Sequence, residues 1–211
     1  MTEHYDNIVF DLGGVVLDID RDRCVDRLRE LGLTRAAELL DLYKQQGDFL
    51  ALEEGSISAA RFFDILRSEC SCDVTDDELR RALDSFITDL PVRRLEALRA
   101  LRREGKRTFV LSNTNPIMFH SVIDRLFRQE SLAIGDYFDG IVTSFQEKVC
   151  KPDAGIFLIL IRRYGLEPAK TLFIDDSQAN VAMAEACGLK GLLLPKNTDF
   201  IEFLNLSDGG K

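Results

Sequence analysis

The chain has 211 residues, of which 45% are hydrophobic and 30% charged, with a formal net charge of −9. This length buries one sizeable core with room for an insert, and the composition is that of an ordinary soluble globular protein. The acidic balance argues against a general nucleic-acid or anionic-membrane surface, and no apolar run approaches the length of a membrane span.

Met1 to Asp6 is polar and acidic, so no signal peptide is expected there. The five cysteines (Cys24, Cys70, Cys72, Cys150 and Cys187) form no CxxC pair and have no histidine at zinc-site spacing. Reduced thiols in a cytoplasmic protein are the expectation. The segment Asn7 to Phe10 reads as a short buried strand, because Ile8, Val9 and Phe10 are β-branched or aromatic. Asp11 follows at once, then Leu12 and two glycines, so the strand ends in a sharp turn with a carboxylate at its tip.

Helical spacing comes next. Cys24, Leu28 and Leu31 make one stripe that stops at Gly32, and residues 34–46 carry another through Ala36, Leu39, Leu40 and Tyr43. After a break at 54–58, Ser58 is placed to cap a helix containing Phe62, Phe63, Ile65 and Leu66. Thr75 and Glu78 form a capping box for a helix through Leu79, Leu83 and Phe86. No strand is expected between about 20 and 90, so this stretch reads as a helical bundle inserted into another fold.

Pro91 opens a helix through Leu95, Leu98 and Leu101 that stops at Gly105. Strands at 107–112, 141–144, 171–175 and 192–194 then alternate with helices that start near Pro116, Pro152 and Ser177. Such alternation implies an α/β fold with a parallel sheet covered on both faces. The tail from Ser207 to Lys211 reads as loose.

In a fold of this kind function collects at the carboxyl ends of the strands. Four stations fall there: Asp11-Leu12-Gly13; Ser112-Asn113-Thr114-Asn115; Lys151-Pro152; and Asp175-Asp176, followed by Ser177 and Asn180. Hydroxyls, an amide and loop N–H groups at the second station suit phosphate oxygens. Adjacent acids at a converging edge repel unless a cation sits between them. At ~3.5 Å and an effective dielectric of ~20, an aspartate approaching a phosphate meets roughly 5 kcal/mol of repulsion per charge pair. Lys151 and a divalent ion held by Asp11 and Asp176 would offset it, and hard oxygen ligands with no histidine or cysteine nearby favour Mg²⁺. Asp11 then serves as a nucleophile whose aspartyl-phosphate is hydrolysed by water.

The motifs Phe10-Asp11-Leu12-Gly13-Gly14-Val15, Leu111-Ser112-Asn113-Thr114, Lys151-Pro152 and Phe173-Ile174-Asp175-Asp176 resemble, in order, those of the haloacid dehalogenase-like superfamily. The resemblance implies a Rossmann-like, doubly wound core formed by residues 1–17 and 91–211, with a helical cap of the subclass I type at 18–90. It implies Asp11 and Lys151 as catalytic residues and Ser112, Asn113, Thr114 and Lys151 as phosphate ligands. Asp11, Asp176 and the Gly13 carbonyl would hold Mg²⁺, with Asp175 behind them. The combination looks most like the bacterial sugar-1-phosphate phosphatase branch, which acts on α-glucose 1-phosphate. A small phosphorylated metabolite is the implied substrate, and the protein would act as a monomer or homodimer.

One position departs from the family's phosphatases, which usually carry a second Asp two residues after the nucleophile. Here it is Gly13, which can transfer no proton; such transfer is worth about 10²–10⁴-fold. Three explanations compete: a leaving group that needs little help, another acid (Asp18, Asp20 or one from the cap) in its place, or a protein that only binds a phosphosugar. The superfamily's dehalogenases also lack this Asp but do not keep paired acids at the fourth station. Its phosphonate-cleaving members use a cap lysine, for which Lys44 is the sole candidate before Lys106. From the cap or its neighbourhood, Tyr43, Phe49, Arg61 and His120 are candidate specificity residues.

Overall fold

The computed structural model describes residues 4–40, 47–196 and 198–204. Its centre is β1 (Asn7–Phe10), whose four residues are all buried. After β1 come β2 (Asp18–Ile19), then α1 (Arg21–Glu30), α2 (Ala36–Leu39), α3 (Gly47–Glu53), α4 (Ala59–Glu69) and α5 (Asp76–Asp84). The chain returns through β3 (Ile87–Asp89) and α6 (Val92–Arg103) to β4 (Arg107–Ser112). Short helices α7 (Pro116–Met118), α8 (Asp124–Phe127) and α9 (Ile134–Tyr137) lead to β5 (Gly140–Thr143). The sequence then runs α10 (Ser144–Glu147), α11 (Ala154–Tyr164), β6 (Thr171–Asp175), α12 (Gln178–Ala186), β7 (Lys190–Leu193) and α13 (Phe200–Leu204).

The five long-range strands form one parallel sheet in the order β5-β4-β1-β6-β7. β1 lies at the centre, with β4 on one side and β6 on the other, so the chain changes direction across the sheet beside β1. Side chains alternate between faces along each strand. Ile8, Phe10, Val110, Leu172 and Ile174 join the core shared with the helices of 21–84, while Val9, Phe109, Leu111 and Phe173 join the core under α11 and α12. Phe10 stacks edge-on against Phe200 at 5.1 Å, which fastens α13 to the sheet.

The caps read from the sequence are present: Ser58 accepts from the Arg61 N–H, and Thr75 and Glu78 make the reciprocal capping box. Two expectations change. A strand does lie between 20 and 90, since β3 pairs antiparallel with β2 as a two-stranded ribbon where the helical segment leaves and rejoins the sheet. It is three residues long and its partner lies some seventy residues away, so local pattern cannot show it. The helix expected over 34–46 ends at Leu39, with Leu40 extended at φ −111° and ψ 97°. Tyr43, Lys44 and the tail from Ser207 lie outside the described residues. The helix opened by Pro116 passes through a π-helical turn at Phe119–Ile123 before α8.

Candidate active site

Sheet pairing brings the strand ends together. β1 is flanked in register by β4 and β6, so Asp11, Ser112 and Asp175 emerge from adjacent strands. The Asp11 N–H donates to the Ile174 carbonyl (3.0 Å), carrying the pairing one residue past β1. Beyond it the chain curls around the Leu12 carbonyl, which accepts N–H groups from Val15 (3.3 Å), Val16 (2.9 Å) and Leu17 (2.8 Å). Gly14 sits at φ 76°, the left-handed region that favours glycine. Gly13 does not, and the nearest atom to a Cβ built there is Ile19 Cγ2 at 3.6 Å, an ordinary contact. Nothing in the turn therefore demands glycine at 13.

Lys151 is buried and reaches both acids: its Nζ lies 3.0 Å from Asp11 Oδ1 and 2.7 Å from Asp175 Oδ2. Its backbone is clamped by Asn113, which accepts the Lys151 N–H at 2.7 Å and donates to the Lys151 carbonyl at 2.9 Å. The side-chain amide of Asn113 thus positions the lysine. Thr114 is held through Ser144, whose hydroxyl accepts the Thr114 N–H and donates to its carbonyl, both at 3.0 Å. The Ser112 hydroxyl makes one long bond, 3.3 Å to the Asn113 carbonyl.

The two acids of the fourth station have different surroundings. Asp175 is fully buried and accepts from Lys151, the Ser177 N–H (2.8 Å) and Asn180 Nδ2 (3.0 and 3.1 Å). Asp176 is half-buried and faces Gly14. Burial raises the Asp176 carboxyl above its ordinary range, and Asp175 raises it further. Burial likewise pushes Asp11 up to about 7; Lys151 opposes the rise while Asp175 and Asp176 add to it. For Lys151, burial would lower the ammonium, but Asp11 and Asp175 outweigh it and hold it above its ordinary value.

These residues fit a divalent cation. Carboxylate oxygens of Asp11, Asp175 and Asp176 lie within 4.8 Å of one another, and the set contains no histidine or cysteine. With all three ionised, the carboxylates against one ammonium leave two negative charges in a buried place. Hard oxygen donors of that charge suit Mg²⁺.

A cavity opens in front of the strand ends. The sheet side contributes Leu12, Gly13, Ser112, Asn113, Thr114 and Asn115, and the segment between β1 and β4 contributes Phe49, Glu53 and Phe86. Of the residues expected to set specificity, Phe49 lines this cavity, whereas Arg61 and His120 are exposed and do not. Asp18 and Asp20 are engaged elsewhere: Asp18 pairs with Arg94 at 2.7 Å, and Asp20 caps α1 by accepting the Arg23 N–H. The sequence reading passed over Glu53 and took Asn115 only as part of a phosphate loop. A signal for Glu53 was present, since it follows Phe49 by one helical turn and adjoins Leu52, which puts a carboxyl on a buried stripe.

The comparisons with known proteins agree with this geometry. A family model for haloacid dehalogenase-like hydrolases matches residues 5–188. The D-ribitol-5-phosphate phosphatase of Bacteroides thetaiotaomicron is 36% identical over 184 residues, covering 87% of this chain and 89% of that one. A crystal structure of a HAD family enzyme from the same organism, in complex with magnesium and inorganic phosphate, superposes with a TM-score of 0.88 at 32% identity, covering 94% of this chain and 98% of that one. A HAD-like family hydrolase from Porphyromonas gingivalis superposes with a TM-score of 0.87 at 32% identity, covering 96% of this chain and 97% of that one. The chain belongs to the haloacid dehalogenase-like hydrolase family.

Proposed function

We propose that this protein is a Mg²⁺-dependent phosphatase acting on a small phosphorylated sugar or sugar alcohol through an aspartyl-phosphate on Asp11. The observation that carries this reading is the convergence of Asp11, Asp175 and Asp176 at the ends of β1 and β6 with Lys151 from the turn before α11, a set whose acids outnumber its cation and suit a divalent ion. A relative named for its action on D-ribitol 5-phosphate and a similar enzyme crystallised with magnesium and phosphate support it. The sugar-1-phosphate branch suggested by the motifs falls in the same substrate class.

Each residue has a part. Asp11 Oδ1 accepts from Lys151 and from the Leu12 N–H (2.7 Å), which orients the carboxylate and leaves its other oxygen for attack on phosphorus. Lys151 and the Ser112 and Thr114 hydroxyls receive the phosphate oxygens, while Asn113 holds Lys151 in place and offers its backbone N–H. Mg²⁺, held by Asp11, Asp176 and the Gly13 carbonyl, supplies positive charge against the phosphate. Asp175 anchors Lys151 and the loop to Asn180 from behind. Residues 18–90 act as a cap over a core of 1–17 and 91–211, closing Phe49 and Phe86 over the substrate and excluding water. The reading includes a cytoplasmic monomer or homodimer; the five free cysteines suit a reducing compartment.

The test is release of inorganic phosphate from D-ribitol 5-phosphate, hexose 1-phosphates and hexose 6-phosphates. Activity should need Mg²⁺, vanish with EDTA and return on adding Mg²⁺. Asp11→Asn should keep the fold and abolish turnover. Full activity in EDTA would favour the dehalogenase chemistry of the family. Phosphate-ester binding without turnover would make the protein a sensor.

A further inference from the structure

Glu53 is the last residue of α3 and is only 8% exposed. A carboxyl is costly to bury, and far more so in its charged form. It lines the same cavity as Leu12 and Gly13, on the side opposite the sheet. The turn that follows it is pressed onto the core: Gly55, at φ 62°, sits so close to Phe145 that a Cβ there would lie 2.1 Å from the Phe145 carbonyl oxygen. Across the cavity, Asn115 Nδ2 is buried and without a partner among the described residues; its Oδ1 accepts the Met118 N–H at 3.0 Å. A buried carboxyl and an unpartnered amide nitrogen on one otherwise mainly apolar cavity mark a place built for a ligand oxygen.

Resting on the phosphatase reading above, we propose that Glu53 is the general acid and base that position 13 lacks. As Asp11 attacks phosphorus, the bond from phosphorus to the alcohol oxygen breaks. Its electron pair stays on that oxygen, which takes the proton from Glu53, while Asn115 donates a hydrogen bond to the substrate. In the second step water adds to the phosphorus of the aspartyl-phosphate and gives a proton to Glu53. The bond from phosphorus to Asp11 breaks, leaving inorganic phosphate and restoring both carboxyl groups.

The surroundings favour an acid here. Burial, with Asp11 nearby, pushes the Glu53 carboxyl up to about 8 against the pull of Lys151, and Glu54 adds to the rise. Cys150 is the other titratable neighbour, and burial with Glu53 nearby pushes its thiol up to about 12. Burial of this kind favours the protonated carboxyl that a general acid uses.

The experiment compares wild type and Glu53→Gln, loaded with Mg²⁺, in single-turnover measurements. One ester has a poor leaving group, D-ribitol 5-phosphate, and the other a good one, 4-nitrophenyl phosphate. Glu53→Gln should slow the alkyl ester by about 10²–10⁴-fold and the aryl ester far less, because nitrophenolate needs no proton. Glu53→Asp, checked for folding by thermal unfolding, should keep more of the alkyl-ester rate than the amide. Adding Gly13→Asp to Glu53→Gln should restore part of it. Equal losses on both esters, or none, would overturn the assignment and leave Glu53 a binding or packing group. A wild-type protein that releases phosphate from neither ester would overturn the phosphatase reading itself, and the role of Glu53 with it.

Discussion

Gly14 and Asp176 occupy one another's space: a Cβ at 14 would lie 2.5 Å from Asp176 Oδ2. The absence of a side chain at 14 is therefore what lets the most accessible acid of the fourth station approach the turn that bears Asp11. Gly14→Ala should push Asp176 away and also strain the φ of 76°, at about 1–2 kcal/mol. We expect a fall in Mg²⁺ affinity of about 10–100-fold, as for other residues that orient metal ligands. Gly13→Ala should fold normally. Mg²⁺ titrations of activity, with thermal unfolding of both variants, check the contrast; equal behaviour would count against it.

Asn113 holds the Lys151 main chain by two hydrogen bonds. Asn113→Ala should lower kcat by roughly 10²-fold, since misplacing a reacting group by about 1 Å costs that much. The fold should survive, because the lysine keeps its bonds to Asp11 and Asp175. Circular dichroism and steady-state kinetics on one preparation would separate the two effects.

Glu53 predicts a pH signature in the metal-free protein. Its carboxyl is raised from 4.5 in the ordinary state to about 8 in the fold, so its contribution to stability is fully present below about 4.5 and lost as pH rises through about 8. Glu53→Gln carries no such loss. The melting temperature of the variant minus that of wild type should therefore rise between pH 5 and 8, by about 3 °C or more. A flat difference across that range would show that Glu53 is not protonated in the fold.

Arg94 ties the ribbon to the core. It is buried, donates to the Val16 carbonyl (3.0 Å), and pairs with Asp18 (2.7 Å) and with the buried Asp199 (3.0 Å). Arg94→Met should cost about 3 kcal/mol or more, because the buried Asp199 loses its buried cation and is left with the more exposed Arg93 at 2.8 Å and the Ile201 N–H at 3.0 Å. For a chain of this size that is a fall of about 6–12 °C in melting temperature. An unchanged Tm would mean that the ribbon is held by its apolar contacts alone.

What the sequence by itself determined was the parallel sheet, the helices between its strands, and the order of Asp11, Ser112, Lys151 and Asp175-Asp176. These follow from local periodicity and from where strands end. The caps at Ser58 and Thr75 were legible for the same reason, since a cap is decided within four residues. Tertiary structure alone decided how the two acids of the fourth station are surrounded. Asp175 and Asp176 are neighbours in sequence, yet one is enclosed by Lys151, Ser177 and Asn180 while the other faces Gly14. It also decided that the left-handed turn residue is Gly14 and not Gly13, and that the ribbon strand Ile87–Asp89 exists at all. Glu53 shows the limit most clearly. Its place beside Gly13 depends on an inserted segment folding back across the sheet and docking Gly55 on Phe145, a contact between residues ninety positions apart that no local pattern encodes.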